Sequence, residues 1–175
     1  MIANQHIPHV LLYLLPSIVL AILIKALSGR FIVFTFLTLA GTLCHEMAHY
    51  IVGFLTNARP TSISIIPRRI DRHHYQMGAA TFSNLRWYNA AMTALAPILI
   101  LAIPLVYAEW RVRHSSEFTW GDIAMMFFLA PQFLCFWPSR TDWLLALRSW
   151  PYLLLLTPIC WYWAKEIGLF SLAAI

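Results

Sequence analysis

Apolar residues fall along this chain in five long runs separated by short polar stretches, and the length of the runs decides what they are. The runs extend from about Pro8 to Leu27, Phe31 to Leu55, Trp87 to Ala108, Trp120 to Trp137 and Trp150 to Ala164. A helix needs roughly 20 such residues to cross hydrocarbon, and only helices and closed barrels satisfy every backbone group there. The runs are too long, and alternate too little, to be barrel strands. The pattern therefore predicts an all-α polytopic membrane protein of about five transmembrane helices. It forms a single domain over residues 1–175, with its core at 31–150. The longest polar stretch, residues 57–86, lies between the second and third runs. Within it "TSISII" is rich in β-branched residues and partly alternates, and "YQMGAATF" can pair with it. A membrane-associated β-hairpin is expected there, with Pro67, Arg68, Arg69, Asp71 and Arg72 in its connection.

Composition sharpens this picture. Hydrophobic residues make up 61% and charged residues 11%, too little charge to solvate a globule of this length. The net charge of +5 would raise the question of nucleic acid in a soluble protein. Here no basic surface interleaves with aromatic residues, so no nucleic-acid partner is expected, and the loop arginines read as headgroup contacts and topology signals. Cys44, Cys135 and Cys160 form no CxxC pair and read as buried small hydrophobes; Cys44, beside His45, has the alternative reading of a reactive thiol. The N-terminus lacks a basic leader and a small-residue cleavage site, so the first span is expected to be retained.

Threading five spans puts the 57–86 stretch and the Pro138–Ser149 connection on one side of the membrane. Seven Lys and Arg fall on that side and five on the other. The excess of positive charge assigns the hairpin side to the cytoplasm. The expected location is the cytoplasmic membrane of a prokaryote, with any site near the hairpin facing the cytoplasm.

The second run carries the chemistry. In "TLCHEMAHYIVGFL", His45 and His49 lie one helical turn apart on the same face, a spacing that lets two imidazoles hold one metal ion. Glu46 is offset by one residue, placed to act as a general base beside that ion without being a ligand. HExxH is a short pattern, and a packed polar cluster would also display it. Three ionisable groups at membrane depth are costly, however, and ask for a function. A catalytic metal needs a third protein ligand. His49 is six residues from Leu55, about 9 Å below the hairpin-side surface. Asp142 enters from that same side in "CFWPSRTDWLLAL", behind a proline, and is the expected third ligand; Asp71, His73 and His74 are the runners-up.

The order of these features resembles the site-2 protease family of intramembrane zinc metalloproteases. "HEMAHYIVGFLTNARPTSISIIP" is similar to that family's motif helix running into its membrane-associated strands. "ALAP" (Ala94 to Pro97) stands where members usually have Gly-Pro, and "PSRTDW" where many have a proline-rich run ending in Asp-Gly. The likeness covers about Phe31 to Trp150. Trp143 and Ala96 replace expected glycines, the asparagine often found ahead of the aspartate is missing, and there is no PDZ domain, as in a compact, divergent member.

The resemblance implies one Zn2+ per chain and hydrolysis of peptide bonds in or near transmembrane helices of membrane-protein substrates within the bilayer. Zinc on His45, His49 and Asp142 would bring the pKa of its water toward neutrality, with Glu46 moving the protons. Asn89 and Arg140 are candidate oxyanion donors. Ser64 sits in the strand expected to offer its edge to an unwound substrate. Two other classes compete. A non-proteolytic membrane zinc hydrolase acting on a lipid or small amide would need Glu46 yet leave transmembrane peptides intact. A non-catalytic metal-binding membrane interaction protein would have no use for Glu46.

Overall fold

A computed structural model of the chain describes residues 3–66, 68–69, 75–76, 78–114 and 117–166. Asp71, Arg72, His73 and His74 lie outside the described residues, as does Pro67. The described chain is mostly helical, with seven α-helices and four short strands.

Helix α1 (Ala3–Ala26) turns through Leu27–Arg30 into α2 (Phe31–Leu55). Helix α2 is built inside out. Thr38, Thr42, Glu46 and His49 form a buried stripe at helical spacing, while Phe36, Leu39, Leu43, Met47, Ile51 and Phe54 are exposed on the opposite face. A helix in water would reverse that arrangement; hydrocarbon outside and polar partners inside favour this one. The helix ends where Thr56 returns its hydroxyl to the Val52 carbonyl at 2.8 Å and Asn57 takes a left-handed φ of 58°, a conformation asparagine tolerates.

The expected hairpin is present. Strand β1 (Pro60–Ser64) pairs antiparallel with β4 (Ala79–Phe82) in the register Ser62 to Thr81, Ile63 to Ala80 and Ser64 to Ala79. Beyond it, β2 (Arg68–Arg69) pairs with β3 (Tyr75–Gln76). Strand β4 returns onto α2, and a Cβ at Gly53 would run into the Phe82 ring, so the absence of a side chain there sets how closely the hairpin approaches the helix.

Helix α3 (Ala90–Leu95), a 3-10 segment (Ala96–Leu101) and α4 (Ala102–His114) follow as one rod. Pro97 and Pro104 lack the N–H that a continuous α-helix requires, which fits the tightened middle. Helix α5 (Trp120–Cys135) starts on a capping box between Thr119 and Asp122. Asp122 is buried, and it also accepts from Tyr13 (2.7 Å) and from Nε and Nη2 of Arg111 (2.9 and 2.8 Å). This clamp ties α1, α4 and α5 together. At the other end of α5, a Cβ on Gly41 would lie 2.5 Å from the Pro131 carbonyl, so a small residue lets α2 and α5 touch backbone to backbone.

The chain breaks at Phe136–Ser139 and restarts as α6 (Arg140–Ala146), followed by a 3-10 turn (Leu147–Ser149) and α7 (Trp150–Glu166). Segments His9–Ala26 and Ala90–His114 are long and apolar enough to cross a membrane, and Trp120–Cys135 with Arg140–Tyr152, bent by 55°, makes a third if counted as one span. Among the described residues, two or three segments are therefore long and apolar enough to span a membrane, against the five spans expected. Helix α2 has the length, at 25 residues, but its histidines and glutamate lower the hydropathy of any window containing them. Helix α7 has 17 described residues. Its Cys160 is exposed, and Cys44 and Cys135 are only half-buried, contrary to the expectation of three buried thiols.

Candidate metal centre

Three elements bring His45, His49 and Asp142 together. Helix α2 supplies the two imidazoles a turn apart. The break after α5 lets α6 enter with Asp142 in its first turn, where the carboxylate is held by the same cap that starts the helix. Asp142 Oδ2 accepts from the Ser139 backbone N–H at 2.7 Å, and Ser139 Oγ accepts from the Asp142 N–H at 3.2 Å. This capping box orients the carboxylate before any ligand is present.

The imidazoles are oriented from behind. His45 Nδ1 donates to the Cys135 carbonyl at 2.6 Å, and His49 Nδ1 donates to the Thr93 carbonyl at 2.7 Å. Both carbonyls are free to accept for a reason legible in the chain. In an α-helix, the Thr93 carbonyl would receive the N–H of residue 97, which is proline and has none. Cys135 is the last residue of α5, where carbonyls have no partner within their own helix. Each histidine thus fills a gap left by a broken helix.

A carbonyl only accepts, so both Nδ1 atoms carry hydrogen, and in its neutral form each ring turns an Nε2 lone pair forward. The two Nε2 atoms are 3.2 Å apart. Asp142 Oδ1 is 3.3 Å from His49 Nε2, and Oδ2 is 3.6 Å from His45 Nε2. Three lone-pair donors therefore face one another. A proton on one Nε2 answers only part of that repulsion, whereas a cation at the centre answers all of it. Donors roughly 2.0–2.1 Å from a tetrahedral centre stand roughly 3.3 Å apart, and the observed triangle is close to that. His45, His49 and Asp142 form a group able to hold a metal ion.

Glu46 is 6% exposed and lies beside this group. Its carboxylate is covered by the start of β4: a Cβ at Gly78 would fall 2.5 Å from Glu46 Oε1 and 2.7 Å from its Cγ. Gly78 is required by close approach, a role that a glycine entering a strand signals. The four residues open into a cavity of about 950 Å3 walled by α2, by Gly78–Phe82 and by α6.

The other expected site residues stand elsewhere. Asn89 is 1% exposed and fully engaged: its Oδ1 accepts from Arg86 N (2.7 Å), and its Nδ2 donates to the carbonyls of Asn84 (3.1 Å) and Thr56 (3.3 Å). It joins the start of α3 to the end of α2 and has no donor to spare for an oxyanion. Arg140 is exposed at the start of α6 and does not line the cavity. Ser64 lies on β1, the outer strand, paired to Ala79; β4 is the strand at the cavity. Arg148, read from the sequence only as a topology signal, does line it. Compared with protein-family models, curated proteins and solved structures, the chain matches none.

Proposed function

We propose that this chain is an intramembrane zinc metalloprotease of the site-2 type, cleaving peptide bonds in or near the transmembrane segments of membrane-protein substrates. The observation that carries this reading is the convergence of His45 Nε2, His49 Nε2 and an Asp142 carboxylate within 4.8 Å of one another, with each histidine Nδ1 already committed to a backbone carbonyl. Two imidazoles and one carboxylate in a near-tetrahedral triangle suit zinc and leave an open position for catalysis. Zinc held there would act as a Lewis acid and supply a nucleophile at neutral pH. Glu46, beside the ligands, takes the proton of the attacking water and returns it to the leaving amine. The His45 and His49 rings are kept in register by the Cys135 and Thr93 carbonyls, so neither has to reorient during the reaction.

Five spans, with α2 and α7 crossing alongside the others and the hairpin side in the cytoplasm, fit this function. Helix α2 then carries the site at moderate depth, and the cavity beside β4 admits the substrate. Among the described residues, strand β4 is paired on one edge, with β1. An unwound substrate would add to its other edge, and Ser64 on β1 has no part in that contact.

The direct test uses the protein in phosphatidylcholine vesicles with a panel of labelled transmembrane peptides. Cleavage that stops with a chelator and returns with zinc supports the proposal. Zinc-loaded protein that leaves every peptide intact while hydrolysing an acyl amide would replace it with a lipid-directed hydrolase. One further result is expected. Gly78→Ala pushes a methyl group into the space of the Glu46 carboxylate. It should lower kcat by about 100-fold, the effect of misplacing a catalytic group by about 1 Å, with zinc content unchanged.

A further inference from the structure

Among the described residues, Arg148 is the one lysine or arginine that lines the metal-centre cavity, and it forms no hydrogen bond or ion pair with any of them. The acids nearest in that wall are already committed, Asp142 to the two histidines and the Ser139 cap and Glu46 to its place under Gly78. The root of Arg148 is fixed. Its neighbour Ser149 is fully buried, accepts from Ala91 N at 2.8 Å and donates to the Trp87 carbonyl. Asp142 and Arg148 therefore stand on one anchored helical segment, six residues apart. That separation is about 9–12 Å along the axis. The cavity wall between them is apolar, formed by Leu144 and Leu145.

A guanidinium offers a planar, charged fork that matches a carboxylate. Arg148 is exposed at the cavity wall beside Leu144 and Leu145 and has no ion-pair partner among the described residues, so its fork is available to a carboxylate that enters the cavity. An extended peptide advances about 3.3 Å per residue, so 9–12 Å corresponds to about three residues. We propose that Arg148 is the subsite for a substrate carboxylate, an Asp or Glu about three residues from the cleaved bond, reached across apolar side chains that rest on Leu144 and Leu145. This inference rests on the protease reading and specifies its substrate class: a transmembrane segment with an acidic residue beside the cleavage point.

The test measures binding separately from turnover. Glu46→Gln protein in nanodiscs of phosphatidylcholine alone is titrated with synthetic transmembrane peptides carrying a single Glu, scanned through successive positions, and with their Gln counterparts. At one position the Glu peptide should bind about tenfold or more tightly than the Gln peptide, the effect of one charge-assisted contact. Adding Arg148→Gln should abolish the difference, and adding Arg148→Glu should transfer the preference to a Lys peptide. Unchanged zinc content in both variants shows that the fold is intact. Equal binding of Glu and Gln peptides at every position overturns the proposal, as does a preference that survives Arg148→Gln. If Arg148→Gln instead weakens only retention of anionic lipid in mixed nanodiscs, Arg148 is a headgroup anchor and the proposal fails. Cleavage is scored on the same peptides with Glu46 intact. A preference without cleavage retires the protease reading and keeps the subsite; cleavage without a preference retires the subsite alone.

Discussion

Replacing Asp142 with alanine is expected to empty the metal centre while the bundle stays folded. Wild-type protein purified in detergent should carry about one zinc per chain, and Asp142→Ala less than about a tenth of that at low free zinc. The carboxylate is the only negative donor in the triangle, and both histidines already spend their Nδ1 hydrogens on backbone carbonyls. Without it, two neutral rings remain, one ligand short of a closed face. The substitution also removes half of the α6 capping box, a loss of about 1 kcal/mol. Asp142→Asn separates the two effects, since an amide oxygen can still accept from Ser139 N but supplies no negative charge to the metal. Asp142→Asn should melt like wild type and still hold far less zinc. Full zinc content in both variants would remove Asp142 as a ligand and the proposed mechanism with it. His49→Ala should behave like Asp142→Ala, with the Thr93 carbonyl left without its partner.

Glu46→Gln is expected to have the opposite signature. Hydrolysis should fall by about 100- to 10,000-fold, the usual contribution of a positioned general base, with about one zinc per chain retained. Glutamine is close to isosteric, so the contact with Gly78 is kept and the cavity keeps its shape. Only the capacity to take a proton is lost. Measured together, zinc content and peptide cleavage separate the roles: ligand variants lose both, the base variant loses one. Loss of zinc in Glu46→Gln would make Glu46 a ligand, and unchanged cleavage would mean that another group moves the proton.

The candidate metal site was legible in the chain because its strongest signals are local or topological. The turn between His45 and His49 is a property of any α-helix. The assignment of Asp142 followed from threading apolar runs across a bilayer, which orders acids by side without any knowledge of packing. The hairpin was legible from β-branched alternation, though which of its strands faces the cavity was not. The expected edge carried Ser64, and the observed one carries Gly78–Phe82. Asn89 and Arg140 were read as candidate oxyanion donors, but Arg140 is exposed and outside the cavity lining, and Asn89 has no donor to spare. A polar residue near a site in sequence says nothing of whether its hydrogen bonds are already taken, and the Asn89 amide is engaged at both its oxygen and its nitrogen.

By itself, the sequence determined the hydrophobic class of the protein, the helices, the presence of a hairpin and the ligand-type residues, because each depends on spacing along one segment. It also contained, unread, the proline that releases the Thr93 carbonyl. Only the tertiary structure decided what the Thr93 and Cys135 carbonyls hold, which nitrogen of each histidine faces inward, that Gly78 covers Glu46, and that Arg148 rather than Arg140 stands in the cavity wall. Those facts are distances of a few ångströms between groups from different elements. They follow from how α2, α5, α6 and β4 cross and how closely Gly41 and Gly53 let them approach, which is a matter of packing and not of local pattern.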